Sequence, residues 1–364
     1  MVYSALGGFV VSTIRIPSDL LRSWCIETFE RLGVFPDQAR IAADNLIAAD
    51  LRGIYSHGLA RVDQYAREIE AGKINTRPQI QILQERTSTL LVDADHALGP
   101  VAGTWAMRRC IAKARQTGIA CASVGNGCHY GIAAYYAALA LPEDMIGIAS
   151  CDTPAIVAVH GGMDRVLGTN PLCVAIPAAT KLPLVFDAAT SEAAFNRIVV
   201  ASQEHREIPP TWAIDREGRP TTDPGQAIDG GAGLPFGSYK GSGLSVAIQT
   251  LNAVLSGNWT AQRETIPYGT PQSFNVGYFF VAIDIAAFQD VATFKEGVDN
   301  LIGLLTAGRK RPDCPQILMP GEPEELRTAE QQQKGIVVGP GVYAALVDVG
   351  QRYGVSIDLA PFAG

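Results

Sequence analysis

Between residues 119 and 189 the chain carries four short, mostly apolar runs: "IACASV", "MIGIASC", "LCVAIP" and "LPLVFDAAT". Segments this short, with few polar residues on either face, read as strands buried on both sides or packed beneath helices. Helical periods separate and surround them. "GTWAMRRCIAKARQTG" places Met107, Cys110, Ile111 and Ala114 on one face, and "GIAAYYAALAL" lies between the first two runs. "GSGLSVAIQTLNAVLSG" sets Leu244, Ile248, Leu251 and Leu255 at core spacing, and "VATFKEGVDNLIGLLTAG" is a late helix. "STLLVDAD" and "NVGYFFVAIDI" read as further strands. The alternation predicts an α/β protein and, taken alone, leans towards a doubly wound parallel sheet.

Three helices precede this region. "PSDLLRSWCIETFERLG" starts at a Ser18/Asp19 cap and stops at Gly33, "PDQARIAADNLIAADLRG" ends at Gly53, and "SHGLARVDQYAREIEAG" ends at Gly72. The stretch 206–237, rich in proline, glycine, aspartate and threonine, reads as a long ordered loop of the functional kind. The tail "KGIVVGPGVYAALVDVGQRYG" closes with a short helix.

The third helix carries an anomaly. It sets His57, Arg61 and Tyr65 at i, i+4 and i+8, a drift of about 80° that keeps all three on one stripe. Core-facing stripes are normally apolar, and burying three polar groups without partners would cost several kcal/mol. His129, in a glycine-flanked strand-to-helix turn, is a second candidate. His96 and His160 read as structural, and His205 as solvated.

Composition narrows the function class. With 364 residues, 47% hydrophobic and 18% charged, the chain can bury a sizeable core, and its length fits roughly two domains. A net charge of −7 argues against nucleic acid and anionic membranes as partners. Seven cysteines, with no C-x-x-C pair, read as reduced thiols of a cytoplasmic protein. The first residues lack a basic leader, and no apolar run is long enough to span a bilayer. Phosphate-binding loops, the G-x-S-x-G elbow and paired metal ligands are all missing. "GPGVYA" at 339–344 comes too near the end for a dinucleotide unit and reads as a Pro-Gly turn into the last helix. What remains is a set of loops after apolar strands: "GNGCHYG", "CDTPAIVAVHGG", "LGTNP" with Thr169 and Asn170, "FDAATS" and "FGSYKGSG". Together they point to one pocket where backbone amides and helix N-termini face an anion, with Lys240 placed to meet a phosphate or, as a catalytic group, a reacting oxygen.

Taken in order, "SHGLAR…Y", "GNGCHYG", "VLGTNPLCVAIPA", "FDAATS", "GRPTTDP", "PFGSYKGSGLS" and "MPGEPE" resemble the malate/L-lactate dehydrogenase-like oxidoreductases. Ureidoglycolate dehydrogenase, sulfolactate dehydrogenase, diketogulonate reductase and Δ1-piperideine-2-carboxylate reductase are relatives in that family. The resemblance runs from about residue 14 to 355 and overrules the parallel-sheet reading. It implies a non-Rossmann NAD(P)-binding domain over 91–309, with a largely antiparallel sheet flanked by helices. It also implies a helical substrate domain formed from the chain ends, 1–90 with 310–364. NAD or NADP would be the cofactor and a small carboxylic acid the substrate, in a homodimer with shared active sites and no metal.

Position by position, the resemblance makes Ser56 and His57 one proton-transfer candidate and His129 the other. Arg61 would grip the substrate carboxylate, helped by Tyr65. Tyr130, Gly131, Ile132, Ala133, Ala134, Thr153, Asp187, Ala188, Ala189, Ser238, Tyr239, Lys240, Pro320, Gly321 and Glu322 match cofactor-contacting segments. Two departures stand out. Tyr239 occupies the place of a common family histidine. Asn196 and Arg197 stand where many members have glycine and lysine, and some imine reductases a relay aspartate. Arg197 therefore weakens the rival reading, reduction of a cyclic imine-2-carboxylate, and adds positive charge near the substrate. A hydrolase built on Ser56 and His57 is disfavoured, because neighbours on a helix do not face each other. A non-catalytic binding protein is the remaining rival.

Overall fold

The computed structural model describes residues 14–258 and 275–356; the expected absence of a leader concerns residues outside that range. The helices are α1 (Ser18–Arg31), α2 (Pro36–Leu51), α3 (Val62–Glu70), α4 (Gly99–Thr117), α5 (Ala133–Ala137), α6 (Phe195–Gln203), α7 (Pro224–Ile228), α8 (Tyr239–Gln249), α9 (Val291–Thr306), α10 (Glu322–Lys334) and α11 (Pro340–Tyr353). The strands are β1 (Ile14–Ile16), β2 (Gln81–Glu85), β3 (Thr89–Asp93), β4 (Ile119–Gly127), β5 (Met145–Cys151), β6 (Leu172–Ile176), β7 (Leu184–Ala188), β8 (Ala213–Ile214), β9 (Ala232–Gly233), β10 (Val276–Asp284) and β11 (Ile336–Val338).

Seven strands form the main sheet, in the order β2-β3-β4-β10-β5-β6-β7. Only β3 and β4 run parallel; every other neighbouring pair is antiparallel. The parallel leaning of the strand–helix alternation is thus overturned, and the largely antiparallel sheet is present. β10 is the reason. It sits between β4 and β5, pairing antiparallel with both, so the two strands that flank α5 in sequence are not neighbours. β2 and β3 form one end of this sheet.

Alternation along the strands decides what covers each face. Ala120, Ala122 and Val124 of β4 and Tyr278, Phe280 and Ala282 of β10 join Met107, Cys110 and Ala114 of α4 in one core. On the opposite face α8 and the π-turn that extends it approach closely. A Cβ on Gly277 would lie 1.9 Å from the Asn252 carbonyl oxygen, so only glycine admits that contact. A second core joins α1, α2 and α3 to the chain end, with Leu21, Phe29, Leu46 and Tyr65 packed against Ile336, Leu346 and Val349. β1 and β11 pair inside it, binding the start of the described chain to its end.

Several local expectations give way to the structure. α1 starts after Pro17 with no side-chain cap, so the Ser18/Asp19 cap is not made. "GIAAYYAALAL" is helical only over Ala133–Ala137 and then tightens to a 3₁₀ turn over Ala138–Glu143 that contains Pro142. The final helix is a full 14 residues, and it begins at Pro340, as a Pro-Gly turn requires. The stretch 206–237 is ordered over a small core of Phe195, Ile198, Ile208 and Ala213. Along α8 and the π-turn after it only half of the expected face is kept. Leu251 and Leu255 are exposed and Ile248 is buried, beside Ser242, Ser245, Gln249 and Asn252. These polar groups are buried because they satisfy one another and the strand ends. Asn170 donates to Ser245 and Gln249, Gln249 to Asp152, and Asn252 to Ser150.

Candidate active site

The stretch from Tyr55 to Tyr65 is not one helix. Tyr55–His57 and Leu59–Arg61 are separate 3₁₀ turns, broken at Gly58, and α3 begins only at Val62. Asp50 makes the break. Its buried carboxylate accepts the Leu59 N–H at 2.7 Å, and a Cβ on Gly58 would sit 2.1 Å from Asp50 Oδ1. Burial raises the Asp50 carboxyl to about 7. The C-terminal turn of α2 is held in turn by Gln331 of α10, which donates to the carbonyls of Asp50 and Leu51.

The broken helix still brings its polar groups together. The His57 and His129 rings stack with centroids 5.5 Å apart. Each Nδ1 is engaged by a hydroxyl: Ser56 Oγ lies 2.8 Å from His57 Nδ1, and Tyr65 Oη lies 2.7 Å from His129 Nδ1. Nε2 is therefore the nitrogen left for chemistry on both rings. The expectation that Ser56 and His57 cannot meet fails here: the two side chains are in hydrogen-bond contact within the turn. Arg61 donates through Nε to the Ser56 carbonyl at 2.8 Å and through Nη1 to Gln64 Oε1 at 2.6 Å. Gln64 Nε2 donates to Glu68 Oε1 at 2.7 Å.

Electrostatics keeps both imidazoles neutral. Burial, then the Arg61 charge, lowers His57 to about 3. Burial, then Arg61, then His57, holds His129 well below its usual range. Two stacked rings beside a guanidinium repel a further proton unless an anion arrives. The backbone under His129 is pinned: Tyr278 donates its hydroxyl to the Cys128 carbonyl and Tyr136 to the Tyr130 carbonyl. α4 closes in from behind, since a Cβ on Gly99 would lie 2.0 Å from the His129 carbonyl oxygen.

The cofactor candidates divide by what their side chains do. The Tyr130 ring turns into the core between Tyr136, Tyr278 and Phe280, so only its backbone is left to face a ligand. Ile132, Ala133 and Ala134 are buried as well. The Ala134 N–H donates to Asp187 Oδ2 at 2.9 Å, joining the histidine loop to the end of β7. Burial raises the Asp187 carboxyl to about 6. Thr169 N–H donates to Thr153 Oγ1, and the Thr190 hydroxyl to the Thr169 carbonyl. Asn170 is buried and committed to α8. Gly321, with φ +90°, packs on Val185 and brings Pro320–Glu322 beside β7.

Gly131, Thr153, Ala188, Ala189, Ser238, Tyr239 and Lys240 stay at least partly open, on a rim whose loops are tied by the Ala134–Asp187 and Thr169–Thr153 hydrogen bonds. The eleven-residue α8 begins there, with Lys240 in its first turn. Among the described residues no cluster of three or more metal-ligating side chains occurs.

The remaining residues separate cleanly. His160 lies on that rim, 3.0 Å from Ser238 Oγ and with its ring against Tyr239. His205 is exposed, and the backbone of His96 closes a turn with Asn75 and Asn126. Asn196 and Arg197 lie in the first turn of α6, with Arg197 exposed.

Against known proteins, the family profile described as malate/L-lactate dehydrogenase matches residues 16–347. The chain belongs to the malate/L-lactate dehydrogenase family. It is accordingly a nicotinamide-dependent dehydrogenase of 2-hydroxy acids. The malate dehydrogenase of Pyrococcus horikoshii is 38% identical over 94% of this chain and 96% of its own length. The L-sulfolactate dehydrogenase of Methanocaldococcus jannaschii is 35% identical over 92% of this chain and 95% of its own. The solved Pyrococcus horikoshii malate dehydrogenase structure superposes with a TM-score of 0.86 at 36% identity, covering 96% of this chain and 98% of that one.

Asp50, Gln64, Glu68 and Gln331 escaped the sequence reading. Gln64 and Glu68 had a signal, since they fall at i+3 and i+7 from Arg61 on one helix face. Asp50 and Gln331 act across the fold and had none.

Proposed function

We propose that this family member carries out its proton and carboxylate chemistry at the His57–His129–Arg61 cluster, on a 2-oxo/2-hydroxy acid. The stacked pair beside the guanidinium carries the reading. Arg61 holds the substrate carboxylate by charge and paired N–H groups. Tyr65 positions His129, whose Nε2 takes the hydroxyl proton during oxidation and returns it during reduction. The bound nicotinamide supplies or accepts the hydride at substrate C2. Gly131, Thr153, Asp187–Ala189, Ser238–Lys240 and Pro320–Glu322 hold the dinucleotide. Lys240 offers its charge to a phosphate, and Ser56 serves His57. Asn196 and Arg197 reach the distal end of the substrate.

The test is a screen of NADH and NADPH against oxaloacetate, pyruvate, a sulfonated 2-oxo acid and Δ1-piperideine-2-carboxylate at two pH values. A linear 2-oxo acid is expected to be the better substrate. A marked preference for the cyclic imine would overturn that choice, and failure of both reduced cofactors to bind would overturn the reading itself.

The chain ends form the helical part and the sheet forms the cofactor part, with the division before residue 81. Two such chains form a homodimer. Val246, Leu251, Val254 and Leu255 present an exposed apolar face along α8 and the turn after it, and a second copy would cover it. Sedimentation at micromolar concentration is expected to give the dimer mass, and Leu251→Arg/Leu255→Arg the monomer. A monomeric parent would remove this assembly. Seven free cysteines suit a reducing compartment such as the cytoplasm. Among the described residues no helix is long and apolar enough to cross a membrane.

A further inference from the structure

Arg61 has more partners than a free substrate clamp needs. Nε is committed to the Ser56 carbonyl, and one Nη1 hydrogen to Gln64 Oε1. A guanidinium offers a carboxylate two forks, a side-on pair from Nε and one Nη, and an end-on pair from both Nη groups. The Ser56 carbonyl closes the first. The Gln64 bond fixes the plane in which the second opens, because the guanidinium is flat and rotates as a unit.

Gln64 can do this only with its amide oxygen towards Arg61. Turned over, its NH₂ would face another donor. Glu68 decides the orientation. Its side chain is 1% exposed, and its Oε1 accepts from Gln64 Nε2 at 2.7 Å. With an acceptor on that side the amide must present nitrogen to Glu68 and oxygen to Arg61. Arg61, Gln64 and Glu68 are separated by three and four residues, so one helical turn and its successor hold the whole relay.

We propose that Gln64, oriented by Glu68, is a positioning residue that locks Arg61 with its end-on fork open to the substrate carboxylate. This rests on Arg61 being the carboxylate clamp. The relay explains why a buried glutamate sits on a helix that otherwise buries Val62, Tyr65 and Ala66. It contributes no atom to the reaction, so its loss acts on substrate affinity.

The test compares Gln64→Leu, Glu68→Leu, Glu68→Gln and the double leucine variant, with Arg61→Lys as reference. Each is assayed for KM and kcat with oxaloacetate and pyruvate, and for oxamate binding to the enzyme–NADH complex by fluorescence. Gln64→Leu is expected to raise KM and the oxamate Kd about tenfold, with kcat and the NADH Kd within about twofold. Glu68→Gln keeps an acceptor for Gln64 and is expected to stay within about threefold of the parent. Glu68→Leu should match Gln64→Leu, and the double variant should be no worse than either alone. Equal losses in kcat and NADH affinity, additive effects, or an unchanged oxamate Kd in Gln64→Leu would overturn the relay. If Arg61→Lys also leaves KM and the oxamate Kd unmoved, the clamp itself falls; if only Arg61→Lys moves them, the relay alone falls.

Discussion

His129→Ala is expected to lower kcat/KM about 10³-fold, within the range that positioned general acid–base groups supply, and His57→Ala only about tenfold. The two rings are not equivalent. Nδ1 of His129 meets a buried phenol, and the carbonyls of its two neighbours, Cys128 and Tyr130, accept hydrogen bonds from Tyr278 and Tyr136. His57 rests on Ser56 in a short 3₁₀ turn. A proton-transfer group benefits from the more rigid mounting.

The pH profiles carry a sign. With the imidazole held below its usual range by burial and Arg61, the free enzyme keeps a neutral base well under pH 6.5. The acid limb of kcat/KM for hydroxy-acid oxidation should therefore lie below that of an ordinary histidine. A bound carboxylate offsets the Arg61 charge and favours the imidazolium, so the limb of kcat should fall at higher pH than the limb of kcat/KM. Loss of the limb in His57→Ala but not in His129→Ala would transfer the role to His57.

Arg61→Lys is expected to lower kcat/KM about 100-fold, mostly through KM, while NADH affinity is unchanged. Lysine keeps the charge but lacks the planar fork, and it cannot hold the Ser56 carbonyl, Gln64 and a carboxylate in one plane. Charged hydrogen bonds are worth about 1.5–3 kcal/mol each, which sets the scale. Steady-state kinetics in the reducing direction with titrated NADH reads both quantities. An unchanged kcat/KM would end the clamp role.

What the sequence showed and what it hid follow from the range of the forces involved. Periodicity found α2, α4, α9 and the strands β3 to β7 and β10, because their apolar spacing is local, and missed β2, whose residues are all exposed. It could not place β10 between β4 and β5, a pairing across more than 120 residues; the family resemblance anticipated a largely antiparallel sheet but not this order. It made the region from His57 to Tyr65 one helix because a lone glycine does not announce a break. The break comes from Asp50, which competes for the Leu59 N–H from the neighbouring helix. The three side chains converge nonetheless, since two 3₁₀ turns followed by α3 keep them on one side. Past Ile248 the apolar spacing failed, and Leu251 and Leu255 are exposed, because a polar network that satisfies itself can be buried in place of leucines.

The place of β10 also bears on how the molecule is made. Until residue 284 has left the ribosome, β2-β3-β4 and β5-β6-β7 are separate ribbons, each with a raw border where β10 will later insert. A nascent chain must hold both borders apart from each other and from other chains for more than a hundred residues of synthesis. Closure of the sheet is then a late, all-at-once event that zips the two ribbons onto one strand, and slow, chaperone-sensitive maturation is its natural consequence.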